Sequence, residues 1–283
     1  MEYARRQLLE WSAGAELFGI RVVEPSSVRS HLSSRSADAV PDAAVTLAPL
    51  VGSIAGDPQR HGKRLGWPVG RHFLLAHLGM SGKWVRRGIS DPPPRFGRVG
   101  LEFRSERGSS WACWFVDTRR FGCLALGVEA DLHRGLGPDC LLTPLSGSAL
   151  AARFPIRRSI KVALLEQDRI AGLGNIHAAE ALWLAGIHPA VACDRLSAGD
   201  WDRLAAAIVR QVHAGIASFA GQLEVTYLSE GLEESRFFVY GREALPCQTC
   251  GSAIQREVQV QRGTWWCPTC QPDRGRDAEP RTG

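Results

Sequence analysis

Two pairs of cysteines near the end of the chain constrain its fold more than any other feature. Cys247 and Cys250 form one CxxC motif, Cys267 and Cys270 form a second, and sixteen residues separate the two motifs. Each motif can place two thiolates on one side of a tight turn, and residues 254–266 are long enough for a β-hairpin that brings the turns together. Four thiolates complete a tetrahedron, which predicts one structural Zn²⁺ in a zinc ribbon. A pair of disulfides is the alternative, and a chain without an export signal disfavours it.

The composition indicates an ordinary folded chain of about two domains. Its 283 residues are 45% hydrophobic and 22% charged, which excludes disordered, collagen-like and coiled-coil proteins. The sequence has no long apolar run and no apolar segment behind a charged start, so neither a membrane span nor an export signal is predicted. The formal net charge of +5 suits a polyanionic partner without identifying one. Four further cysteines are expected to be small buried side chains: Cys113, Cys123, Cys140 and Cys193.

Hydrophobic patterning predicts a β-rich first half behind a short leading helix, and a helical second half. The helix is expected over residues 2–12, and strands over 17–23, 72–78, 99–103, 111–116 and 123–126. Later helices are expected over 160–167 and 175–185, followed by a long helix that a capping box of Ser197 and Asp200 opens. The predicted domains are 1–130, a linker at 131–148, 149–236, 237–271 and a disordered tail at 272–283.

A glycine-bearing turn at residues 171–174 delivers Asn175 to the start of a predicted helix. Backbone N–H groups at a helix N-terminus are unpaired and carry partial positive charge, so this turn could hold a phosphate. The alternative is a helical hairpin that uses glycine in its turn and Asn175 as an ordinary N-cap.

Several motifs appear in one order along the chain and together resemble a known family. They occupy residues 60–65, 77–82, 117–122, 136–138, 171–180 and 239–242, and the ribbon follows them. In this order the chain resembles the formamidopyrimidine-DNA glycosylase (Fpg/Nei) family from Met1 to Gln271. The resemblance implies an α+β fold: an N-terminal β-sandwich with a leading helix, a helix–two-turn–helix domain and a C-terminal zinc-ribbon hairpin.

The resemblance also implies an activity. Members of the family are DNA repair glycosylases with abasic-site lyase activity, which flip and excise oxidised or ring-opened bases in base excision repair. For this chain it implies a double-stranded damaged DNA partner, one structural Zn²⁺, no membrane, a monomer, and a cytoplasmic location in a bacterium. The alternative is a non-catalytic paralogue that binds damaged DNA and has lost the nucleophile.

The resemblance also implies site residues, at the positions of this chain that match the family's motifs. Lys63 matches a phosphate-contacting proton donor, and Arg262 matches a phosphate contact linked to the later elimination step. The other implied DNA contacts are His77, Asn175, Lys161, Arg157 and Arg242.

A further set matches the residues that fill the gap left by the flipped nucleotide. These are Met80, Arg119 or Arg120, and Phe121. A wedge and a ring can restore stacking, and a guanidinium can donate to the orphaned base. Without the resemblance, Met80 and Phe121 would be ordinary core residues and the arginines a solvated pair.

The chain departs from the family at its first residues. The family begins Pro-Glu-Leu-Pro-Glu, and its N-terminal proline amine is the nucleophile that attacks the sugar. Residues 1–6 of this chain align with the segment that follows, so we expect the chain that begins at Met1 to be a poor lyase. Two explanations remain open. Either the start codon has been assigned to an in-frame GTG codon that encodes valine, or the chain is a paralogue that lacks the nucleophile.

Two other segments differ from the family. Residues 223–238 are shorter than the loop that covers a flipped 8-oxoguanine and are rich in glutamate, which predicts a preference for other lesions, such as oxidised pyrimidines, ring-opened purines or abasic sites. Residues 95–98 replace a histidine-bearing loop, so the DNA contact expected there is in doubt.

Overall fold

The computed structural model describes residues 1–32, 38–217 and 237–273, which belong to two compact units. The first unit runs to Arg134 and the second begins at Gly135. This division falls within the predicted linker, residues 131–148. Most of the segment 223–238 and the tail beyond residue 273 lie outside the described residues. The expectations placed on those two segments stay predictions.

The first unit is a β-sandwich of two five-stranded sheets behind a leading helix. The helices are α1 (Glu2–Ser12), α2 (Ala43–Leu47) and α3 (Glu129–His133). The strands are β1 (Glu16–Val22), β2 (Val28–Arg29), β3 (Ser53–Ile54), β4 (Gln59–His61), β5 (Arg64–Val69), β6 (His72–His77), β7 (Lys83–Gly88), β8 (Gly97–Arg104), β9 (Ser110–Val116) and β10 (Cys123–Gly127). One sheet has the order β3-β1-β8-β9-β7 and the other the order β2-β10-β6-β5-β4, with β2 parallel to β10 and the other neighbours antiparallel.

Aromatic side chains fill the core of this sandwich. Trp67 stacks on Phe103 with ring centroids 5.3 Å apart and meets Trp84 edge-on at 5.7 Å. These offset and edge-on geometries are the favoured arrangements for buried rings. The leading helix and all five predicted strands are present within two residues of their expected ends. Strands β4, β5 and β7 and helices α2 and α3 are not predicted from the sequence.

The second unit begins with helices. Its helices are α4 (Gly147–Ala151), α5 (Ile160–Ala163), α6 (Asn175–Ala185) and α7 (Ala198–Ala217). The predicted capping box is confirmed: the Ser197 backbone N–H donates to Asp200 Oδ2 at 3.0 Å, and the Asp200 N–H donates to Ser197 Oγ at 3.2 Å. The helix predicted over 160–167 ends early, at Ala163. Beyond it the Gln167 side chain accepts from the Gly172 N–H at 3.0 Å and draws the chain into turns.

A two-stranded hairpin completes this unit, formed by β11 (Gln255–Gln259) and β12 (Arg262–Trp266). It lies within residues 254–266, where a hairpin is predicted between the cysteine pairs. Among the described residues, no helix is long and apolar enough to cross a membrane. The observed layers match the α+β fold that the sequence predicts.

Candidate nucleic-acid interface and zinc site

The four cysteines of the two CxxC motifs converge on one point. Their Sγ atoms all lie within 4.8 Å of one another, with Cys247 3.8 Å from Cys270 and Cys250 3.4 Å from Cys267. A zinc ion bound at about 2.3 Å by four thiolates needs sulfurs about 3.8 Å apart. Disulfide bonds would require about 2.05 Å, and every cysteine is a free thiol. The donor set therefore fits one tetrahedral Zn²⁺.

Two buried polar side chains join this finger to the helices of the same unit. Glu180 on α6 accepts backbone N–H groups from Phe238, Val239 and Tyr240 at 2.8 to 2.9 Å. The Gln271 side chain donates to the Ile187 carbonyl at 2.8 Å and accepts the Cys267 N–H at 3.0 Å. Unpaired buried polar groups are costly, so these bonds fix the finger against the helices.

Two predicted site residues form hydrogen bonds to the hairpin end that carries Arg262. The Gly263 carbonyl accepts from Asn175 Nδ2 at 3.0 Å and from Lys161 Nζ at 3.4 Å. Asn175 is the first residue of α6 and Gly174 is its N-cap, so the ordinary N-cap alternative is wrong. The Asn175 Oδ1 atom is buried and has no hydrogen-bond partner among the described residues.

Lys161 is fully buried beneath the hairpin. Burial, and then the positive charge of Arg262, lower the pKa of Lys161 from 10.5 to about 8. Buried ammonium groups are unfavourable, so the fold keeps this cation at a cost in stability. Arg262 itself is exposed. The structure thus brings Lys161, Asn175 and Arg262 together.

Arg242 and Arg157 have partners other than these three residues. Arg242 is buried, and its guanidinium donates to the carbonyls of Phe237 and Pro246 at 3.3 and 3.0 Å. We therefore replace its predicted DNA contact with a structural role inside the finger. Arg157 is exposed and pairs with Asp194 at 3.0 Å.

In the first unit, a buried carboxylate joins the two loops predicted to fill a DNA gap. Asp117 Oδ1 accepts from Ser81 Oγ at 2.5 Å and from the Arg119 N–H at 3.2 Å, and its Oδ2 accepts from the Gly122 N–H at 2.7 Å. Gly79 has a φ of +61°, and a Cβ there would lie 2.6 Å from the Gly122 nitrogen. Only glycine allows this close approach.

These joined loops, residues 77–82 and 117–122, expose two large apolar side chains. Met80 is 63% exposed and Phe121 is 47% exposed, so neither is a core residue. The Arg119 guanidinium lies 3.7 Å from the Met80 sulfur. The Arg120 guanidinium instead pairs with Glu24 at 3.0 Å. The geometry therefore groups Arg119, rather than Arg120, with Met80 and Phe121.

His77 is the last residue of β6, and Lys63 lies in the turn just before β5, the strand that pairs with β6. Burial, and then the charges of Lys63, Arg64 and Arg29, lower the pKa of His77. Its Nδ1 accepts the Gly79 N–H at 3.1 Å, so in the neutral ring Nε2 carries the proton. The charge of Lys63 also acts on the Met1 amine, whose pKa is lowered to about 6, chiefly by burial and then by Arg60. The Arg60 guanidinium donates to Glu2 Oε2 at 3.3 Å and to the Gly62 carbonyl at 2.9 Å, so helix α1 begins near the turn that contains Lys63.

Several organising residues were not assigned roles from the sequence. Asp117 and Glu180 lie in the quoted motifs, yet only the fold reveals that they bind backbone N–H groups of other segments. The Gly263 carbonyl carries no sequence signal at all.

Comparisons with known proteins find the same pattern in the same order. Family models match for the formamidopyrimidine-DNA glycosylase N-terminal domain over residues 1–124, the formamidopyrimidine-DNA glycosylase H2TH domain over 136–226 and a zinc finger found in FPG and IleRS over 244–272. A formamidopyrimidine-DNA glycosylase of Thermobifida fusca is 32% identical over 291 residues, which is 96% of this chain and 96% of the relative. One from Gluconobacter oxydans is 41% identical over 211 residues, 70% of this chain and 75% of the relative.

Solved structures of such enzymes share the fold. The Lactococcus lactis Fpg in complex with DNA containing an abasic site has a TM-score of 0.80 and 26% identity, covering 96% of this chain and 97% of that one. MutM in complex with DNA containing carbocyclic 8-oxo-G gives the same TM-score, identity and coverage. The predicted fold class and the structural zinc site are confirmed.

Proposed function

The chain belongs to the formamidopyrimidine-DNA glycosylase family, and from this premise we propose that it is a DNA repair glycosylase acting on oxidised or ring-opened bases, with abasic-site lyase activity. The single observation that carries the proposal is the pair of loops joined by Asp117. They present an apolar side chain, a guanidinium and an aromatic ring together at the surface. Such a group can occupy the gap that a flipped nucleotide leaves in the duplex.

Within these loops, Met80 enters the base stack, Phe121 restores stacking and Arg119 donates to the orphaned base. Arg120 contacts the DNA backbone through a guanidinium that Glu24 positions. His77 Nε2–H and Lys63 bind phosphates, and Lys63 also donates protons.

The second unit contributes phosphate binding from the finger and from α6. The exposed Arg262 guanidinium binds a phosphate, and the amides at the start of α6 offer a further anion site beside Asn175. Lys161 adds positive charge beneath Arg262, and the exposed Arg157 makes a peripheral contact. The zinc ion supplies no chemistry to the reaction: bound by its four cysteines, it keeps the finger folded so that Arg262 is presented.

The chain acts as a monomer in the bacterial cytoplasm. A strand-cleavage assay on a duplex containing a ring-opened guanine tests the proposed function. We expect cleavage at the lesion by the chain that carries the family's N-terminal Pro-Glu-Leu-Pro-Glu segment, and none on the undamaged duplex. Selective binding of the damaged duplex with no cleavage by any form would favour the non-catalytic paralogue.

A further inference from the structure

A turn of the first unit, residues 92–97, is anchored to the same residue that joins the gap-filling loops. The Asp117 N–H donates to the Phe96 carbonyl at 3.1 Å. The Arg98 guanidinium donates twice to the Asp117 carbonyl, at 2.8 and 2.6 Å. Backbone hydrogen bonds at Asp117 therefore tie this turn to the 117–122 loop.

Phe96 occupies an unusual position in this turn. Its φ is +63°, a left-handed conformation that is unfavourable for a residue with a large side chain, and the residue is 39% exposed. The Gly97 N–H closes the turn by donating to the Pro94 carbonyl at 2.7 Å. A glycine at position 96 would remove the strain at little cost in packing. Strain kept at an exposed position is a feature of functional sites.

The surroundings of the ring are cationic. The Arg95 guanidinium carbon lies 4.7 Å from the ring centroid, and that of Arg98 lies 6.0 Å away. Glu24 forms ion pairs with both Arg98 and Arg120, at 3.6 and 3.0 Å, and so links this turn to the loop that carries Phe121. An exposed ring beside an exposed guanidinium matches the chemistry of nucleic acid, in which bases stack and phosphates attract cations.

We propose that Arg95 and Phe96 form an additional DNA contact, in which Phe96 packs against the base step beside the gap and Arg95 binds the adjoining phosphate. This inference rests on the proposed function, because the DNA must first bind to the loops formed by residues 77–82 and 117–122. It supplies a contact at the segment where the sequence departs from the family's histidine-bearing loop.

Binding of an abasic-site duplex by two variants tests the inference. For Phe96→Gly we expect the Kd to rise about fivefold or more while the salt dependence is unchanged, because a stacking contact releases no counterions. For Arg95→Ala we expect the slope of log Kd against log salt to fall by about 0.9, the value for one phosphate contact. The urea midpoint of Phe96→Gly should equal or exceed that of the wild type, since the glycine relieves strain.

The pair formed by Phe18 and Arg104 provides matched controls. The Arg104 guanidinium carbon lies 5.2 Å from the Phe18 ring centroid, and Arg104 lies at the end of β8 opposite to Gly97. Phe18→Ala and Arg104→Ala should leave DNA affinity unchanged. The inference would be overturned if Phe96→Gly bound DNA with wild-type affinity, or if its urea midpoint were lower than that of the wild type. Either result would leave the proposed function intact as long as the wild type prefers the abasic duplex. A wild type that does not distinguish abasic from undamaged duplex would instead refute the proposed function.

Discussion

Replacing Lys161 with methionine should stabilise the protein at neutral pH. The ammonium group is buried, and its pKa in the folded protein is about 8, against 10.5 when it is exposed. Below pH 8 the lysine is charged in both states, so the folded state carries the full burial penalty. That penalty corresponds to about 3 kcal/mol, which we discount to about 2 kcal/mol for screening by solvent and by neighbouring charges.

The sign of the pH dependence follows from the lowered pKa. Between pH 8 and pH 10.5 the unfolded chain binds more protons than the folded one, so wild-type stability rises with pH. By pH 10 the penalty falls below about 1 kcal/mol. Methionine fills a similar volume but loses the hydrogen bond to the Gly263 carbonyl, worth about 1 kcal/mol. The variant should therefore be more stable than wild type by about 1 kcal/mol at pH 7, with no advantage at pH 10.

Urea unfolding followed by tryptophan fluorescence at pH 7 and pH 10 measures this difference. Lys83→Met is the matched control, because it also replaces a lysine with methionine but at a half-exposed position on β7. A Lys161→Met protein that is less stable than wild type by the same amount at both pH values would refute the reasoning. Such a result would mean that the buried ammonium is fully compensated by its hydrogen bond and packing.

Three other predictions follow from the site. Arg262→Ala should weaken DNA binding and lower the slope of log Kd against log salt by about 0.9, measured by fluorescence anisotropy; an unchanged slope would remove Arg262 from the phosphate contacts. Cys250→Ser should release zinc, detected with a chromogenic chelator, and reduce DNA affinity, because three thiolates hold the finger poorly; retention of both metal and affinity would contradict the four-cysteine zinc site. The chain carrying the family's N-terminal segment should cleave an 8-oxoguanine:C duplex more slowly than a ring-opened purine duplex, and efficient 8-oxoguanine excision would contradict the expectation drawn from residues 223–238.

The sequence predicted those parts of the fold that depend on local pattern. Apolar periodicity located α1 and β9, where all residues after Ser110 are buried, and the cysteine spacing located the zinc site. Arg side chains interrupt the apolar pattern of β4 and β7, and Gly66 and Pro68 interrupt that of β5, so these strands are not predicted from the sequence. Strand β7 is an edge strand whose last three residues are exposed, so its sequence shows little burial signal.

The site was predictable where residue identity determines the role, and not where the role depends on a distant partner. Met80 and Phe121 are exposed on joined loops, as the gap-filling role requires. The choice between Arg119 and Arg120 needed the structure, since it depends on Glu24 and on the Met80 sulfur. The same is true of Arg242, whose partners are carbonyl groups of its own finger. Backbone acceptors such as these have no sequence signature.

Borohydride trapping on an abasic-site oligonucleotide tests the central claim most directly. A glycosylase and lyase that attacks the sugar with an amine forms an imine, which reduction converts into a covalent protein–DNA adduct. Helix α1 begins near the turn that contains Lys63, so a Pro-Glu-Leu-Pro-Glu extension of Met1 starts in the region of the proposed phosphate-binding residues. The account predicts a covalent adduct with the extended protein. When the first proline is replaced by an N-acetylated glutamine, no free amine remains at the N-terminus, and the adduct should be lost. Tight binding of the abasic duplex without any adduct from the extended protein would contradict the claim.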